Sequence, residues 1–431
     1  MRTRSCVRSS VSISIALAVV CTAERARADN GVDPPSPLRW QWVVDRALGQ
    51  SPSLAVARAR IRAARARSGQ VALEDPMVMV RAWNVPLDVV SAPPGQIMIM
   101  AQQSFPLSGE LGDRERVEAT RVLDAEIERD LARHVLVEDA ELAYLALWEA
   151  RARHAALREL VAMAERVREV ALARIGAGGS PSDVTSAELE LARVRALAEA
   201  ARIPLDTARA QLRALLALPG RTRIPDTPDL APRPSLPSLA TLVAEARRQR
   251  PEARLSGATL ARARALEELS GSAGGATLTV GAGAMIMHEE EEPASWMLEL
   301  GLSLPLWRSA RNARSDEATA LASEADESRR AYRVAIERDV IAAYEALTMA
   351  RVRLDALRAR IAPAARLALD TALAQYAASG NIALVLDALR AKVATDLEIV
   401  EATAAVLRAE VRLSHATGRS THGFAEAQVS R

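Results

Sequence analysis

The run "HEEEE" at residues 288–292 is the part of this chain that most invites a chemical reading. A histidine followed by glutamate begins the zinc-hydrolase pattern, in which a second histidine four positions on completes the metal pair and the glutamate serves as base. Here that fourth position is Glu292, so the metal pair is missing. The run also falls between two strand patterns rather than on a helix, and a charged hairpin loop accounts for it. His134, His154 and His415 stand alone on long helical patterns and read as surface or packing residues, not ligands. Cys6 and Cys21 are the only cysteines. No Ser/His/Asp, Cys/His or metal constellation supports an exported hydrolase. The expectation is no catalytic residue, no metal and no cofactor.

The elements around these residues explain their idleness better than any reaction. Of 431 residues, 49% are apolar, 26% charged and only 3% aromatic. Ala, Leu, Arg and Glu dominate, a bias toward long helices or coiled coil. The net charge of +2 gives no pull toward nucleic acid, and the basic residues are almost all Arg, with Lys392 alone as lysine. No nucleic-acid partner is expected.

The first 28 residues differ in character. Arg2, Arg4 and Arg8 precede an apolar run from Val11 to Val20, and "ARA" at 26–28 suits signal peptidase, with cleavage before Asp29. Acylation of Cys21 is the rival, disfavoured by the branched Val20 before it. Cleavage after Ala28 leaves a mature chain without cysteine, hence without disulfides or thiol chemistry. Residues 1–28 are read as a cleavable signal peptide and the protein as exported. No later segment reaches ~20 continuous apolar residues, the length of a membrane-spanning helix.

The mature chain is written twice. Gln50 and Pro52 correspond to Gln249 and Pro251; Ser104, Pro106 and Leu107 to Ser303, Pro305 and Leu306; Gly179, Val184 and Ala187 to Gly380, Val385 and Ala388. The first repeat spans 29–222: a helix over 38–72, strands at about 77–105, a long helix at about 111–175 and a returning helix at about 181–218. A Pro-rich connector, 223–237, should run extended across a surface. The second repeat spans 238–418: a helix over 238–269, strands at about 276–305, a long helix at about 310–377 and a helix at about 381–416. Pro363 should bend that second long helix. The polar tail, 419–431, should fray.

The strands alternate. Trp296, Leu298, Leu300, Leu302 and Leu304 share one face, against Met297, Glu299, Gly301 and Ser303. Leu278, Val280, Ala282 and Ile286 oppose Thr277, Thr279, Gly281 and Gly283. Both a soluble sandwich and a membrane barrel show this pattern. Over 77–85 one parity exposes Arg81 and the other Val78, Val80 and Ala82; the second is preferred for lipid. Trp83 and Trp296 by the turns, with Phe105 and Trp307 at the far ends, resemble two interfacial girdles. Four strands alone cannot close a barrel, so a symmetric oligomer pooling its strands would hide their edges.

Taken together, "ALGQSPSLAVARARIRAARA", "QSFPLSGELGDRER", "GLSLPLWRSARNARS" and the turns "GGSPSDVTSAELELARV" and "YAASGNIALVLDALRAKV" resemble the TolC-like outer-membrane efflux proteins of the heavy-metal and drug-efflux branch. The resemblance covers nearly all of the mature chain. It implies a mainly α fold with a small β part: long α-helical hairpins in two tandem repeats, and four antiparallel strands given to a trimeric twelve-stranded outer-membrane β-barrel. It implies a passive exit duct for tripartite efflux or type I secretion, opened by a periplasmic adaptor (membrane fusion) protein and energised by an inner-membrane pump. The partners implied are two more copies of the chain as a homotrimer, the adaptor, the pump and outer-membrane lipid. Its place would be the outer membrane, with a periplasmic tunnel. A periplasmic coiled-coil adaptor or scaffold is the alternative, but adaptors usually present one hairpin between β-rich domains.

The same resemblance assigns roles. Pro106 and Pro305 mark strand-to-helix junctions. Gly176, Gly178, Gly179 and Ser180 in one turn, and Gly380 and Asn381 in the other, form adaptor-docking hairpin tips; plain helix termination explains the glycines equally well, as turns needing positive φ. Asp387 matches a position where carboxylates line the constriction, although the acid expected three residues earlier is Leu384. Asp183 can supply another pore-lining ring at the periplasmic gate, or cap its helix, which is preferred. Glu299 reads as a barrel-lumen residue, because a lipid-facing charge is costly.

Overall fold

The computed structural model describes residues 33–83, 95–176, 178–287, 294–419 and 425–426. The expected signal peptide at 1–28 and the acidic run at 288–292 lie outside these residues.

The element order of the first repeat recurs in the second. Two short helices, α1 (Trp40–Gln50) and α2 (Pro52–Ser68), lead into β1 (Met77–Trp83) and β2 (Gln96–Pro106), then α3 (Glu110–Ile175), α4 (Pro181–Ala200) and α5 (Arg202–Leu215). A two-residue strand, β3 (Leu230–Ala231), precedes α6 (Leu239–Gln249) and α7 (Pro251–Ser272), β4 (Thr277–Met287) and β5 (Ala294–Ser303), α8 (Arg308–Ala356), α9 (Ala362–Ser379) and α10 (Ile382–Ala416). At 1.5 Å per residue, the 66 residues of α3 extend about 100 Å.

Each leading helix read as continuous is in fact two. The breaks fall at Ser51–Pro52 and Arg250–Pro251. Proline carries no N–H and pushes the residue before it out of the helical region; Ser51 and Arg250 accordingly have ψ of 121° and 129°. Ser51 then caps α2 by accepting from the Leu54 N–H. The returning helix of the first repeat also divides, at Ala201, where Pro204 cannot donate to the turn before it. In the second long helix the discontinuity at Pro363 is a π-helical turn, Leu357–Ile361, which absorbs the missing donor between α8 and α9.

β1, β2, β4 and β5 form one antiparallel sheet in that order. β2 pairs with β4 over eleven positions, from Gln96–Met287 to Pro106–Thr277, so the two repeats meet at the centre of the sheet and β1 and β5 are its edges. The helical body holds three apolar clusters. One joins α1, α3, α5 and α10 around Tyr144, Leu147 and Leu407. A second, toward the hairpin tips, joins α3, α4, α9 and α10 around Leu157, Leu389 and Tyr376. The third joins α6, α8 and α10 around Leu347 and Val406.

The Pro-rich connector is extended but does not merely cross a surface. Ile224 and Leu230 are buried in the first cluster, the Leu38 N–H donates to the Asp226 carbonyl, and Tyr144 donates to the Leu38 carbonyl. Glu410, buried on α10, accepts from the Arg233 N–H at 3.0 Å and from Arg351 Nη2 at 2.7 Å. A buried carboxylate needs such donors to offset lost hydration. The described part of the tail is also held: Ala425–Glu426 pairs antiparallel with Leu230–Ala231, and Arg419 bonds Glu245 with two nitrogens.

Candidate functional site

Two places collect the residues that sequence singles out: the four-stranded sheet and the paired hairpin tips.

Strand register sorts every sheet residue to a face, because parity is preserved across each pair. Val78, Ala101, Ala282 and Leu298 align in one row, and Val80, Ile99, Ala284 and Trp296 in the next. This face is apolar and open: Leu298 and Leu300 keep 72% and 69% of their surface exposed. Its polar member, Gln103, lies near the helical end and donates to the Glu74 carbonyl. Arg81, Glu299, Gln102, Ser104 and Thr279 lie on the other face. The parity preferred for β1 is the one that aligns with the apolar rows of its neighbours. One girdle residue is misplaced by the sequence reading. Trp83 pairs with Gln96 and through it with Met287, so it shares the face of Arg81 and opposes that of Trp296. Phe105, aligned with Leu278 and Leu302, does share the face of Trp296.

At the helical end of the sheet, Pro106 is the last residue of β2, and Pro305 lies between β5 and α8. Gly109, at φ 79°, makes the turn into α3. A Cβ on Gly275 would stand 2.4 Å from Ser108 Cβ, so the chain entering β4 runs against the chain leaving β2.

The tip glycines divide by cause. Gly178 and Gly380 have φ of 90° and 80° and need glycine's freedom. Gly176 is ordinary right-handed helix. A Cβ on Gly179 would stand 2.9 Å from the Arg174 carbonyl oxygen, which accepts from the Gly179 N–H at 2.9 Å. Close approach, not positive φ, explains it. Ser180 caps α4 by accepting from the Ser182 N–H, and Asn381 caps α10 by accepting from the Ala383 N–H.

With Ser180 as the cap, Asp183 is free for a different contact. Its carboxylate accepts a hydrogen bond of 3.0 Å from the Tyr376 hydroxyl, which joins α4 to α9. Burial first, and then the Asp183 carboxylate, hold the Tyr376 hydroxyl above its ordinary pKa. The Arg174 guanidinium lies 4.8 Å over the Tyr376 ring, and its Nη2 stands where a Cβ on Gly380 would fall within 2.7 Å. Asp387 is exposed and pairs at 3.0 Å with Arg390, which also bonds the buried Glu190 of α4 through Nε and Nη2. Sequence reading missed Tyr376, Arg174, Arg390 and Glu190, since the contacts that join Tyr376 to Asp183 and Arg174, and Arg390 to Glu190, link residues about 200 positions apart.

It missed one more grouping. His134 and His415, read as isolated, stack with ring centroids 3.7 Å apart where α3 packs on α10. His134 Nε2 lies 3.0 Å from the His415 carbonyl oxygen, and His415 Nε2 lies 3.0 Å from Glu138. Burial, and next the neighbouring His134, lower the His415 pKa to about 4. Burial lowers that of His134 also. Among the described residues no three His, Cys, Asp or Glu side chains converge as a metal site, and no helix is long and apolar enough to cross a membrane.

Residues 241–419 match the family model described as outer membrane efflux protein. No curated protein matches the chain in sequence. Among solved structures, CusC, described as undergoing transmembrane channel formation, superposes with TM-score 0.74 at 17% identity, over 88% of this chain and 92% of that one. The outer membrane protein VceC of Vibrio cholerae gives 0.71 at 16% identity, over 88% and 96%. The open-state MtrE outer membrane channel of Neisseria gonorrhoeae gives 0.71 at 16% identity, over 89% and 90%. The second repeat thus carries the sequence pattern of the outer membrane efflux proteins, a family of channels and not of enzymes, and the described chain has the channel-tunnel fold of that family's solved relatives.

Proposed function

We propose that this protein is the outer-membrane exit duct of a tripartite efflux or secretion system. One observation carries the reading: a four-stranded sheet, open at both edges, presents an exposed apolar face in register across every strand, and mounts on helices about 100 Å long. An open edge and an exposed apolar face are both liabilities in water. Lipid satisfies the face, and strands from further copies satisfy the edges.

Three copies, each giving four strands, would close a barrel whose inward face carries Glu299 and Arg81. The helices would continue it as a periplasmic tunnel. The paired tips, fastened through Tyr376, Asp183 and Arg174, would be the periplasmic end that an adaptor engages; Gly178, Ser180, Gly380 and Asn381 shape that surface. Asp387, exposed on the protomer, would repeat by symmetry and draw cations toward the constriction. An inner-membrane pump would supply energy and choose the cargo, and a cleavable signal at 1–28 would direct export.

The test is twofold. Outer-membrane fractions should contain a heat-modifiable trimer, and the purified trimer should conduct in planar bilayers. A water-soluble monomer without conductance would instead favour a periplasmic adaptor or scaffold.

A further inference from the structure

The chain has ten methionines, and seven of them share one face of the sheet. They are Met77 and Met79 on β1, Met98 and Met100 on β2, Met285 and Met287 on β4, and Met297 on β5; the others are Met1, Met163 and Met349. The opposite face has none, and its long apolar positions are Val, Ile, Leu, Phe and Trp. A need for apolar bulk alone would not sort sulfur to one side.

The sulfurs are not equivalent. Arg81 Nη2 donates to Met79 Sδ at 3.0 Å, and Gln102 Nε2 to Met77 Sδ at 3.5 Å, so both β1 thioethers are occupied by donors. The remaining group is central. Met98 and Met285 are directly opposed across the β2–β4 pair, where Cβ atoms stand about 5 Å apart. Met100 opposes Gly283, which in turn opposes Met297. A Cβ on Gly281 would lie 3.3 Å from Met100 Sδ and 3.4 Å from Glu299 Cβ, so the bare glycine leaves the floor on which that thioether rests beside Glu299. Met98 and Met100 are each only 4% exposed on the protomer.

Thioethers are soft, neutral ligands. They favour Cu(I)-type ions over hard divalent cations, which seek oxygen. Met side chains are long and adaptable enough to converge from neighbouring strands, and Glu299 offers one negative charge alongside. We propose that Met98, Met100, Met285 and Met297 form a binding site for a soft monovalent cation, Cu(I) or Ag(I), on the inner wall of the sheet. The site lies in the bore only if the duct reading holds, on which that placement rests.

Ag(I), as its nitrate, is the probe. The mature chain, residues 29–431 and so without Cys6 and Cys21, is titrated in detergent by calorimetry, and silver X-ray absorption reads the ligand atoms. Wild type should bind Ag(I) with sulfur in the first coordination shell, and excess Zn(II) should not displace it. The variant M98L/M100L/M285L keeps side-chain volume and should lose affinity by about tenfold or more. No Ag(I) binding by wild type, binding without sulfur scattering, displacement by Zn(II), or unchanged affinity in the variant would each overturn the site. If that variant fails to fold, M98L and M285L, each titrated alone, carry the same comparison, since sulfur scattering by itself does not tell these thioethers from those of Met77, Met79 or Met287. Bilayer conductance of the same preparations separates the two readings: pores without silver binding remove only the site, and sulfur-bound silver without pores removes only the duct.

Discussion

Tyr376 and Asp183, 193 residues apart in the chain, are joined by a hydrogen bond of 3.0 Å between the two hairpin tips. The hydroxyl is almost wholly buried, and the carboxylate that accepts it is not needed as a helix cap, because Ser180 has that place. A bond to a charged group contributes about 1.5–3 kcal/mol. It is the polar contact that spreading of α4 from α9 would have to break.

Tyr376→Phe removes that bond and keeps the ring under Arg174. The occupancy of the conducting state should rise by about tenfold, the factor equivalent to about 1.4 kcal/mol. Single-channel recording reads it, and an occupancy equal to wild type would show that this contact does not restrain the tips.

Glu299 and Leu300 are adjacent on β5 and point to opposite faces. Leu300→Arg places a charge on the apolar face near the middle of its strand, which in a membrane barrel costs about 2–4 kcal/mol. The heat-modifiable trimer should be strongly depleted from outer-membrane fractions. Glu299→Gln should leave it at wild-type abundance. Equal tolerance of both would mean that the apolar face does not meet lipid.

Asp387→Asn should weaken block of single-channel current by divalent cations, since one carboxylate is lost from each copy at the tips. Block unchanged in depth and voltage dependence would remove Asp387 from the constriction and leave it as the surface partner of Arg390.

The stacked histidines set a pH dependence. The His415 pKa is lowered to about 4, and that of His134 is lowered too, whereas in the unfolded chain both return toward 6.5. Between those values the unfolded chain binds more protons, so stability rises with pH, and it is lost as pH falls from 6.5 toward 4. Glu138 opposes this: burial first, then Asp139, raises its pKa, so its contribution declines as pH rises above 4.5. Arg250, which also faces the pair, stays charged throughout this window. Glu252, whose carboxyl is held below its ordinary pKa against the cost of burial by Arg250, contributes stability that is lost as pH falls, in the same sense as the histidines. Two histidines outweigh one carboxyl, so the melting temperature by circular dichroism should be several degrees lower at pH 5 than at pH 7. His415→Gln should flatten that slope, and an unaltered slope would place the acid sensitivity elsewhere.

Local pattern in the sequence determined most of the architecture. Period-two alternation sets which side chains of one strand share a face, and three-four spacing without proline sets a helix as long as α3. The duplication of Gln50–Pro52 in Gln249–Pro251 is equally legible, although the three-four spacing continues through both prolines and hides the helix breaks they make. What only tertiary structure decided are relationships between distant residues. Trp83 lies on the face of Met287 because register passes through β2 to β4. His134 meets His415 because α3 packs on α10. Asp183 serves Tyr376 because two hairpins lie side by side. Ile224 and Leu230 enter the core because the connector crosses between packed helices. Periodicity records how a segment faces its surroundings. Which segment fills those surroundings is chosen by packing, which joins residues that share no local pattern.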